Sequence, residues 1–367
     1  MRRLTVVQLL PALASGGVER STLEVAEALV HAGHRSVVVS AGGRLVESLQ
    51  AAGSEHVTLD IGRKSLATLR HVLSLRRVFA RLRPDIVHAR SRLPAWLGLL
   101  ALKSAGNPRT HFVTTVHGLN SPGLYSGVMC RGERVICVSE TVREHVLRHW
   151  PATDPDKLTV IERGIDPAAF ASEAGSTPAS EPFPVAAMDS PEPKLLLMPG
   201  RGTRLKGHAA AITLLADLRR KGVNARLWLL GTREPGREAY VAELEAQAKA
   251  LGVADFVLAS PPRADVVAAY RLADLVLQLS AKPEAFGRTV VEALSVGKPV
   301  VGWSHGGVGE LLGRYFPRGR VALGDQEALL ATTLRLLADP RRPARIFPQT
   351  LAAMQAHTLK VYGSLAV

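Results

Sequence analysis

Short hydrophobic runs alternate with longer amphipathic stretches along nearly the whole chain. The short runs have the length of buried parallel strands and the longer ones repeat at the helical period, which indicates parallel sheets covered by helices. In the first half, the pattern predicts strands at residues 4–10, 36–40, 56–59, 86–89, 111–116 and 135–139. The helices predicted between them lie at residues 18–31, 66–82, 93–103 and 141–150.

The alternation stops between residues 167 and 193, where Ala, Ser, Pro and Glu are frequent and no period is visible. Such a composition is typical of a linker between domains. A second alternating series then begins, with predicted strands at residues 195–198, 225–230, 255–258, 275–279 and 299–302. Its predicted helices lie at residues 208–220, 239–251, 264–272, 289–296, 327–338 and 349–362.

Two similar α/β halves with a cleft between them are the simplest architecture for this pattern. The 367 residues suffice for two domains of about 150–200 residues each. We predict a first Rossmann-like domain over residues 1–170, a linker over 171–193 and a second Rossmann-like domain over 194–340. The segment 341–367 is expected to end in a helix that packs back onto the first domain. Ligands bind such sheets at the carboxyl ends of the strands.

The net charge of +14 indicates a surface that attracts polyanions, which include nucleic acid, anionic lipid headgroups and phosphorylated substrates. The two cysteines, Cys130 and Cys137, are too few for a disulfide framework or a four-cysteine zinc site, which favours a reducing compartment. No stretch approaches the roughly 20 apolar residues of a membrane-spanning helix.

The first residues allow two interpretations. An arginine pair, an apolar stretch and the letters ALAS at 12–15 are similar to a signal peptide. However, Thr5 and Gln8 interrupt the apolar run, and Gly16-Gly17 leads directly into a helical pattern. We therefore favour a strand, a glycine turn and a helix that together open a βαβ unit.

A glycine-containing loop follows the first strand of each half. Gly16 and Gly17 precede the first helix, whose free N–H groups and positive dipole end suit a phosphate group. In the second half, the run PGRGTRLKGH at 199–208 places Arg201 and Lys206 between a strand and a helix, where both could reach a diphosphate. The alternatives are a plain βα turn at Gly16-Gly17 and a solvated charged loop at 199–208.

The segment from Pro283 to Glu292 is the most specific feature. Pro283 and Gly287 place Glu284 in a loop and start a helix that contains Glu292. In a helix these carboxylates would be about 12 Å apart along the axis, longer than the roughly 5–9.5 Å between the paired acids of glycosidases. The spacing suits the two ends of a nucleotide sugar. The alternative is a buried loop acid and an ordinary surface glutamate.

Together these motifs resemble glycosyltransferase family 4. The resemblance rests on Glu284-x7-Glu292, the PGR…KG run at 199–207, VIERGID at 160–166, TVHG at 115–118 and GGVER at 16–20. It covers nearly the whole chain in the right order, and it is greatest to bacterial members that build lipopolysaccharide cores and other cell-surface glycans. It implies the α/β GT-B fold, with two Rossmann-like domains whose parallel sheets face each other across a cleft, and retaining glycosyl transfer.

The resemblance also implies residue roles. Arg201 and Lys206 would bind the donor diphosphate and stabilise the leaving group, Glu284 would contact the transferred sugar, and Glu292 would accept hydrogen bonds from the ribose. His117 would face the reacting centre, unless it is a core histidine at a strand end. The other expected donor-binding residues are Gly16, Gly17, Gly200, Phe286, Gly287, Arg288 and Thr289.

Two residues depart from the family pattern. Arg163 stands where the family often has Asn, and Arg288 stands where a small or apolar residue is common. Either could contact an acidic group.

The resemblance implies a nucleotide-sugar donor and no cofactor. We expect a UDP-hexose, with UDP-glucose first, while ADP-heptose and GDP-mannose stay open. No Asp-x-Asp lies at a plausible strand end, and the His and Asp residues lack ligand spacing, so we expect no metal requirement. The acceptor is expected to be a phosphorylated or lipid-linked glycan.

We expect a cytoplasmic protein bound peripherally to the inner face of the cytoplasmic membrane. A basic cluster in the first half suits an anionic membrane surface or the acceptor, although a solvated helix face is commoner. This basic cluster comprises Arg63, Lys64, Arg70, Arg76, Arg77, Arg81 and Arg83.

Three other functions are compatible with parts of this pattern. An NAD-dependent oxidoreductase is disfavoured because G-x-G-x-x-G is missing and no acid follows the second strand, where SAGG stands at 40–43. A nucleic-acid-binding protein is suggested by charge alone, without aromatic stacking platforms or a recognition module, so no specific nucleic-acid partner is expected. A non-catalytic glycan-binding relative is disfavoured because Arg201, Lys206, Glu284 and Glu292 are all present.

Overall fold

The protein is described by a computed structural model that covers residues 2–14, 16–105, 109–171, 193–263, 265–339 and 341–366. It forms two compact units. The first contains Met1–Gly164 and Leu351–Val367, and the second contains Ile165–Thr350.

The first unit is built on seven parallel strands in the order β3-β2-β1-β4-β5-β6-β7. These strands are β1 Thr5–Leu9, β2 Arg35–Ser40, β3 Glu55–Thr58, β4 Ile86–Ala89, β5 His111–Val116, β6 Arg134–Cys137 and β7 Leu158–Val160. The α-helices that connect them are α1 Gly17–His31, α2 Val46–Ala51, α3 His71–Leu82, α4 Arg92–Ala105, α5 Leu124–Gly127 and α6 Glu140–His149. Because β2 and β3 lie on one side of β1 and β4 lies on the other, a crevice opens at the carboxyl ends of β1 and β4.

The second unit repeats this arrangement with six parallel strands in the order β10-β9-β8-β11-β12-β13. They are β8 Lys194–Pro199, β9 Ala225–Leu230, β10 Val257–Ser260, β11 Leu275–Gln278, β12 Val300–Trp303 and β13 Arg320–Val321. Its α-helices are α7 Pro167–Ala171, α8 His208–Arg220, α9 Glu238–Ala250, α10 Val266–Leu272, α11 Arg288–Ser295, α12 Gly306–Tyr315 and α13 Gln326–Ala338. The strand order reverses between β8 and β11, so the loops that follow these two strands are neighbours.

The last helix, α14 Leu351–Leu365, belongs to the first unit. Met354, Val361 and Tyr362 are buried in the same hydrophobic cluster as Leu4 and Leu29. The Tyr362 hydroxyl lies 2.6 Å from Nδ1 of the buried His88 on β4. The C-terminal helix therefore completes the core of the N-terminal sheet.

The prediction of two parallel α/β sheets is confirmed, whereas several element boundaries were wrong. The helix predicted at 66–82 is a 3-10 helix over Leu66–Arg70 followed by α3. The strand predicted at 255–258 starts only at Val257, because Ala254–Phe256 forms a 3-10 turn. The linker predicted at 171–193 lies almost entirely outside the described residues.

Helix α12 was not predicted at all. Its sequence GGVGELLGRY contains four glycines, and glycine disfavours a helix interior by roughly 1 kcal/mol relative to alanine. Local propensity was therefore overridden by tertiary packing. None of the described helices is both long and apolar enough to cross a membrane.

Candidate functional site

The loop after β8 carries Gly200, Arg201 and Lys206, and it lies against the end of β11. Gly207 ends this loop with a φ of 83° and caps α8. A Cβ at Gly207 would lie 1.9 Å from the carbonyl oxygen of Leu279, so only glycine permits this approach. The Ala281 N–H also donates to the Leu205 carbonyl at 2.8 Å. The backbone thus joins the two loops at the point where the strand order reverses.

Lys206 and Glu284 form an ion pair between these loops. Lys206 Nζ lies 2.5 Å from Glu284 Oε1, and the Ser280 hydroxyl lies 2.5 Å from the same oxygen. Burial raises the pKa of Glu284, but the charge of Lys206 and hydrogen bonds from neighbouring side chains outweigh it, so the pKa lies below its ordinary value. Glu284 is therefore anionic at neutral pH.

The N-terminus of α12 supports the Glu284 loop. The Gly307 N–H donates to the Glu284 carbonyl at 2.8 Å. A Cβ at Gly307 would lie 2.4 Å from the carbonyl oxygen of the buried Phe286, and one at Gly306 would lie 2.7 Å from the Glu284 carbonyl oxygen. These glycines were not predicted as site residues, although they form a Gly-Gly pair between a strand and a helix, as Gly16 and Gly17 do.

Glu292 is held by two side chains inside the second unit. Gly287 adopts a φ of 98° and starts α11 at Arg288, with Thr289 in the first turn. Arg288 Nε donates to Glu292 Oε1 at 3.0 Å, and the Tyr270 hydroxyl donates to Oε2 at 2.7 Å. Burial and the charge of Glu292 raise the pKa of Tyr270 well above its ordinary value. Glu292 is only 8% exposed, so it is not an ordinary surface glutamate.

Tyr270 was not predicted as a site residue, since it lies on α10 in an ordinary helical pattern.

The arginines near the site differ in their partners. Arg204 pairs with Glu243 and lies over the Tyr240 ring, with 5.6 Å to its centroid. The exposed Arg201 side chain makes no hydrogen bond or ion pair within the described part of the chain. Arg201 is therefore available for an anionic ligand.

The first unit contains a pocket of about 320 Å³ at the carboxyl ends of β1 and β4. Gly16 caps α1 and Gly17 begins it, with open space around the position where a Gly17 Cβ would stand. The next two residues of α1 reach the pocket. Its lining includes Pro11, Glu19, Arg90, Arg92, His117 and Asn120.

His117 and Arg90 contribute unusual chemistry to this pocket. Arg163 Nη2 contacts His117 Nδ1, and burial together with the charges of Arg163 and Arg90 holds the pKa of His117 well below its ordinary value. Arg90 is buried, and its guanidinium donates to Gln8 Oε1 at 2.8 and 2.5 Å and to the Ser21 hydroxyl at 3.1 Å. Arg90 was not predicted as a site residue, because its neutral partners are distant in the chain.

Comparison with known proteins identifies the family. Residues 15–169 match the family model described as Glycosyltransferase Family 4, and residues 182–350 match the one described as Glycosyl transferases group 1. A D-inositol 3-phosphate glycosyltransferase of Xylanimonas cellulosilytica is 30% identical over 290 residues, which are 73% of this chain and 67% of that protein. The chain belongs to glycosyltransferase family 4.

Other relatives agree with this membership. The D-inositol 3-phosphate glycosyltransferase of Salinispora arenicola is 29% identical over 70% of this chain, and the match spans 61% of that protein. The chain thus spans about three fifths of the length of that relative.

Solved structures show the same fold. A glycosyltransferase from Rickettsia africae has a TM-score of 0.83 and 26% identity, with 100% of this chain and 99% of that chain covered. HepE of Anabaena, solved with UDP and glucose, has a TM-score of 0.80 and 20% identity over 99% of this chain and 100% of its own. Each sheet with its helices is therefore one of the two Rossmann-like domains of a GT-B fold.

The described residues contain no group of three or more His, Cys, Asp or Glu side chains arranged to hold a metal ion. The predicted site residues fall into two sets. Gly200, Arg201, Lys206, Glu284, Phe286, Gly287, Arg288, Thr289 and Glu292 lie in the second unit, while Gly16, Gly17 and His117 lie in the first. Their assigned roles toward a donor stay predictions.

The ion pair of Glu284 gives an expected pH dependence. Its pKa in the folded protein lies below the ordinary value of 4.5, so its contribution to stability is present above that pH and is lost as the pH falls. We expect Glu284→Gln to destabilise the protein by about 1 kcal/mol near pH 7, and the difference to shrink near pH 3. Urea unfolding at both pH values measures this.

Glu245→Gln is the matched control, because Glu245 is 54% exposed and pairs with Arg233 at the surface. Its effect should stay within about 0.5 kcal/mol at both pH values. A Glu284→Gln variant as stable as the wild type near pH 7 would contradict the pairing.

Proposed function

We propose that the chain is a retaining glycosyltransferase that moves a hexose from a UDP-sugar, with UDP-glucose as the first candidate, to a phosphorylated acceptor. The observation that carries the proposal is the meeting of the loops after β8 and β11, which brings Lys206 to Glu284 at 2.5 Å. Arg201, on the same loop as Lys206, is exposed to solvent. The complex of UDP and glucose with the Anabaena protein of the same fold favours UDP-glucose.

The chemistry follows from the charges in this site. The bond between the anomeric carbon and a phosphate oxygen breaks, and negative charge grows on the departing diphosphate. Arg201 and Lys206 stabilise that charge more strongly in the transition state than in the ground state, which lowers the barrier. Free N–H groups at the start of α11 add to this stabilisation. No metal ion is required for these steps.

Retention follows if the acceptor attacks from the face that the diphosphate leaves. The acceptor oxygen forms the new bond to the anomeric carbon, and its proton passes to an oxygen of the departing phosphate. Glu284 contacts the transferred sugar as an anion, while Glu292 takes the ribose hydroxyls. The Tyr270 and Arg288 hydrogen bonds fix the Glu292 carboxylate in one orientation for that contact.

The acceptor is proposed to be a phosphorylated polyol bound in the pocket of the first unit. Two arginines, Arg90 and Arg92, line that pocket, and the relatives from Xylanimonas and Salinispora are named for D-inositol 3-phosphate. A lipopolysaccharide-core acceptor becomes the second candidate, since its support is a fold likeness of 16% identity to WaaG, a glycosyltransferase of lipopolysaccharide biosynthesis.

The donor assignment predicts different effects for two arginines of one loop. Arg201→Met should weaken UDP binding about tenfold or more, because a charge-assisted hydrogen bond contributes about 1.5–3 kcal/mol. Arg204→Met should leave the affinity nearly unchanged, because Arg204 is engaged by Glu243. Titration calorimetry with UDP measures both. Equal effects, or binding of NAD in place of UDP, would contradict the proposal.

The same protein can be assayed for transfer. With UDP-glucose as donor, we expect turnover with inositol 3-phosphate, much less with inositol, and no loss of turnover on addition of EDTA. Equal turnover of both acceptors would contradict the proposed requirement for a phosphate group on the acceptor. Dependence of turnover on a divalent cation would contradict the metal-independent reaction.

We also propose that the protein acts in the cytoplasm at the inner face of the cytoplasmic membrane. All seven residues of the basic cluster are exposed, and none forms an ion pair with an acid among the described residues. Leu69 and Leu73, which lie between residues of the basic cluster in the sequence, are 53% and 59% exposed. Cations near an anionic surface each add about 1 kcal/mol of attraction, and exposed leucines can enter the headgroup boundary.

Vesicle sedimentation tests the membrane assignment. The wild type should bind vesicles that contain anionic phospholipid and ignore zwitterionic ones. The double change Leu69→Ser and Leu73→Ser should reduce binding severalfold, while Leu323→Ser, at a leucine 53% exposed in the second unit, should not. Binding that is absent, or equal for both vesicle types, would speak against a membrane role.

A further inference from the structure

The contact between Arg163 and His117 fixes the position of a proton. A guanidinium group carries only N–H donors and stays protonated, so the histidine nitrogen that it faces must supply a lone pair. Arg163 Nη2 faces Nδ1 of His117. A neutral imidazole carries one ring proton, which must therefore be on Nε2.

Arg163 is held in place for this contact. Its other terminal nitrogen, Nη1, lies 2.5 Å from the Ser21 hydroxyl on α1 and 4.0 Å from the Met354 sulfur on α14. The same hydroxyl accepts a hydrogen bond from Arg90 at 3.1 Å. Arg163 is thus supported by two helices of the first unit, although it lies on the segment after β7.

The surroundings of His117 oppose its protonation. Arg163 and Arg90 carry positive charge beside the ring, and His88 lies near it on β4. Glu19 of α1 is the acid that shares the pocket lining with His117. His88 stays neutral as well, because burial, Arg90 and Arg163 lower its pKa well below the ordinary value.

The second ring nitrogen of His117 faces no protein acceptor. Nε2 is buried and has no hydrogen-bond partner among the described residues, while the residue lines the pocket of about 320 Å³. A buried N–H without a partner costs about 1–3 kcal/mol unless a ligand satisfies it. An oxygen atom of a substrate within hydrogen-bond distance would satisfy it.

We propose that Arg163 is a positioning residue, which holds His117 as the neutral tautomer with the proton on Nε2 so that His117 donates to a substrate oxygen. His117 then orients the substrate as a hydrogen-bond donor and does not act as a general base. The substrate part of this proposal rests on the proposed function, whereas the tautomer does not.

Nitrogen NMR of protein labelled with [15N]histidine tests the tautomer directly. Among the 12 histidines, His117 is assigned by the signal lost in His117→Gln. In the wild type we expect an unprotonated Nδ1 and a protonated Nε2, unchanged from about pH 8 to about pH 5.5. A proton on Nδ1, or titration near the ordinary pKa of 6.5, would overturn the proposal without any variant of Arg163.

Two variants separate positioning from a merely structural role. Arg163→Met should give a tautomer mixture or an imidazole that titrates, and Arg163→Lys should keep the wild-type signals because lysine also only donates. Unchanged signals in a folded Arg163→Met variant would overturn the proposal.

Transfer kinetics supply the second measurement. Loss of a hydrogen bond to a charged group typically costs about tenfold or more, and we expect a fall of that size in kcat/KM for Arg163→Met with recovery in Arg163→Lys. UDP affinity should not change, because the residues proposed to bind the diphosphate and the ribose lie in the other unit. Wild-type protein without transfer activity would defeat the proposed function, while the NMR result would still decide the tautomer.

Discussion

The ion pair between Lys206 and Glu284 is the contact on which the proposed donor site depends. It joins the loops after β8 and β11, where the reversal of strand order leaves a crevice at the sheet edge. Gly207 lets one of these loops approach Leu279, and Gly307 lets α12 approach and support the other. Three separate segments of sequence therefore determine where one carboxylate lies.

The first unit places positive charge at the corresponding crevice of its own sheet. Arg90 is buried and hydrogen-bonded to the neutral side chains of Gln8 and Ser21. Burial of a cation is costly unless it is paired or hydrogen-bonded. A buried Arg90 close to a neutral His117 is consistent with a pocket that receives an anionic substrate. From the other end of the chain, Tyr362 of α14 contacts His88 on β4.

The hydrophobic pattern was sufficient to predict the parallel sheets, since buried strands and amphipathic helices differ in period and length. Glycines and charges after strands singled out Lys206 and Glu284, which the structure brings together as an ion pair, while their roles toward a donor stay predictions. Contacts between distant segments could not be predicted. His88 and Tyr362 are 274 residues apart in the chain. Tyr270 lies in an ordinary helical pattern. The four glycines of α12 disfavour the prediction of a helix there. In each case tertiary packing, and not the local sequence pattern, determines the contact or the helix.

A crystal structure of the protein with bound UDP is the decisive measurement. We expect the diphosphate beside Arg201, Lys206 and the first turn of α11, with the ribose hydroxyls at Glu292. Electron density for UDP elsewhere on the molecule, with the Lys206–Glu284 loops unoccupied at saturating UDP, would contradict it.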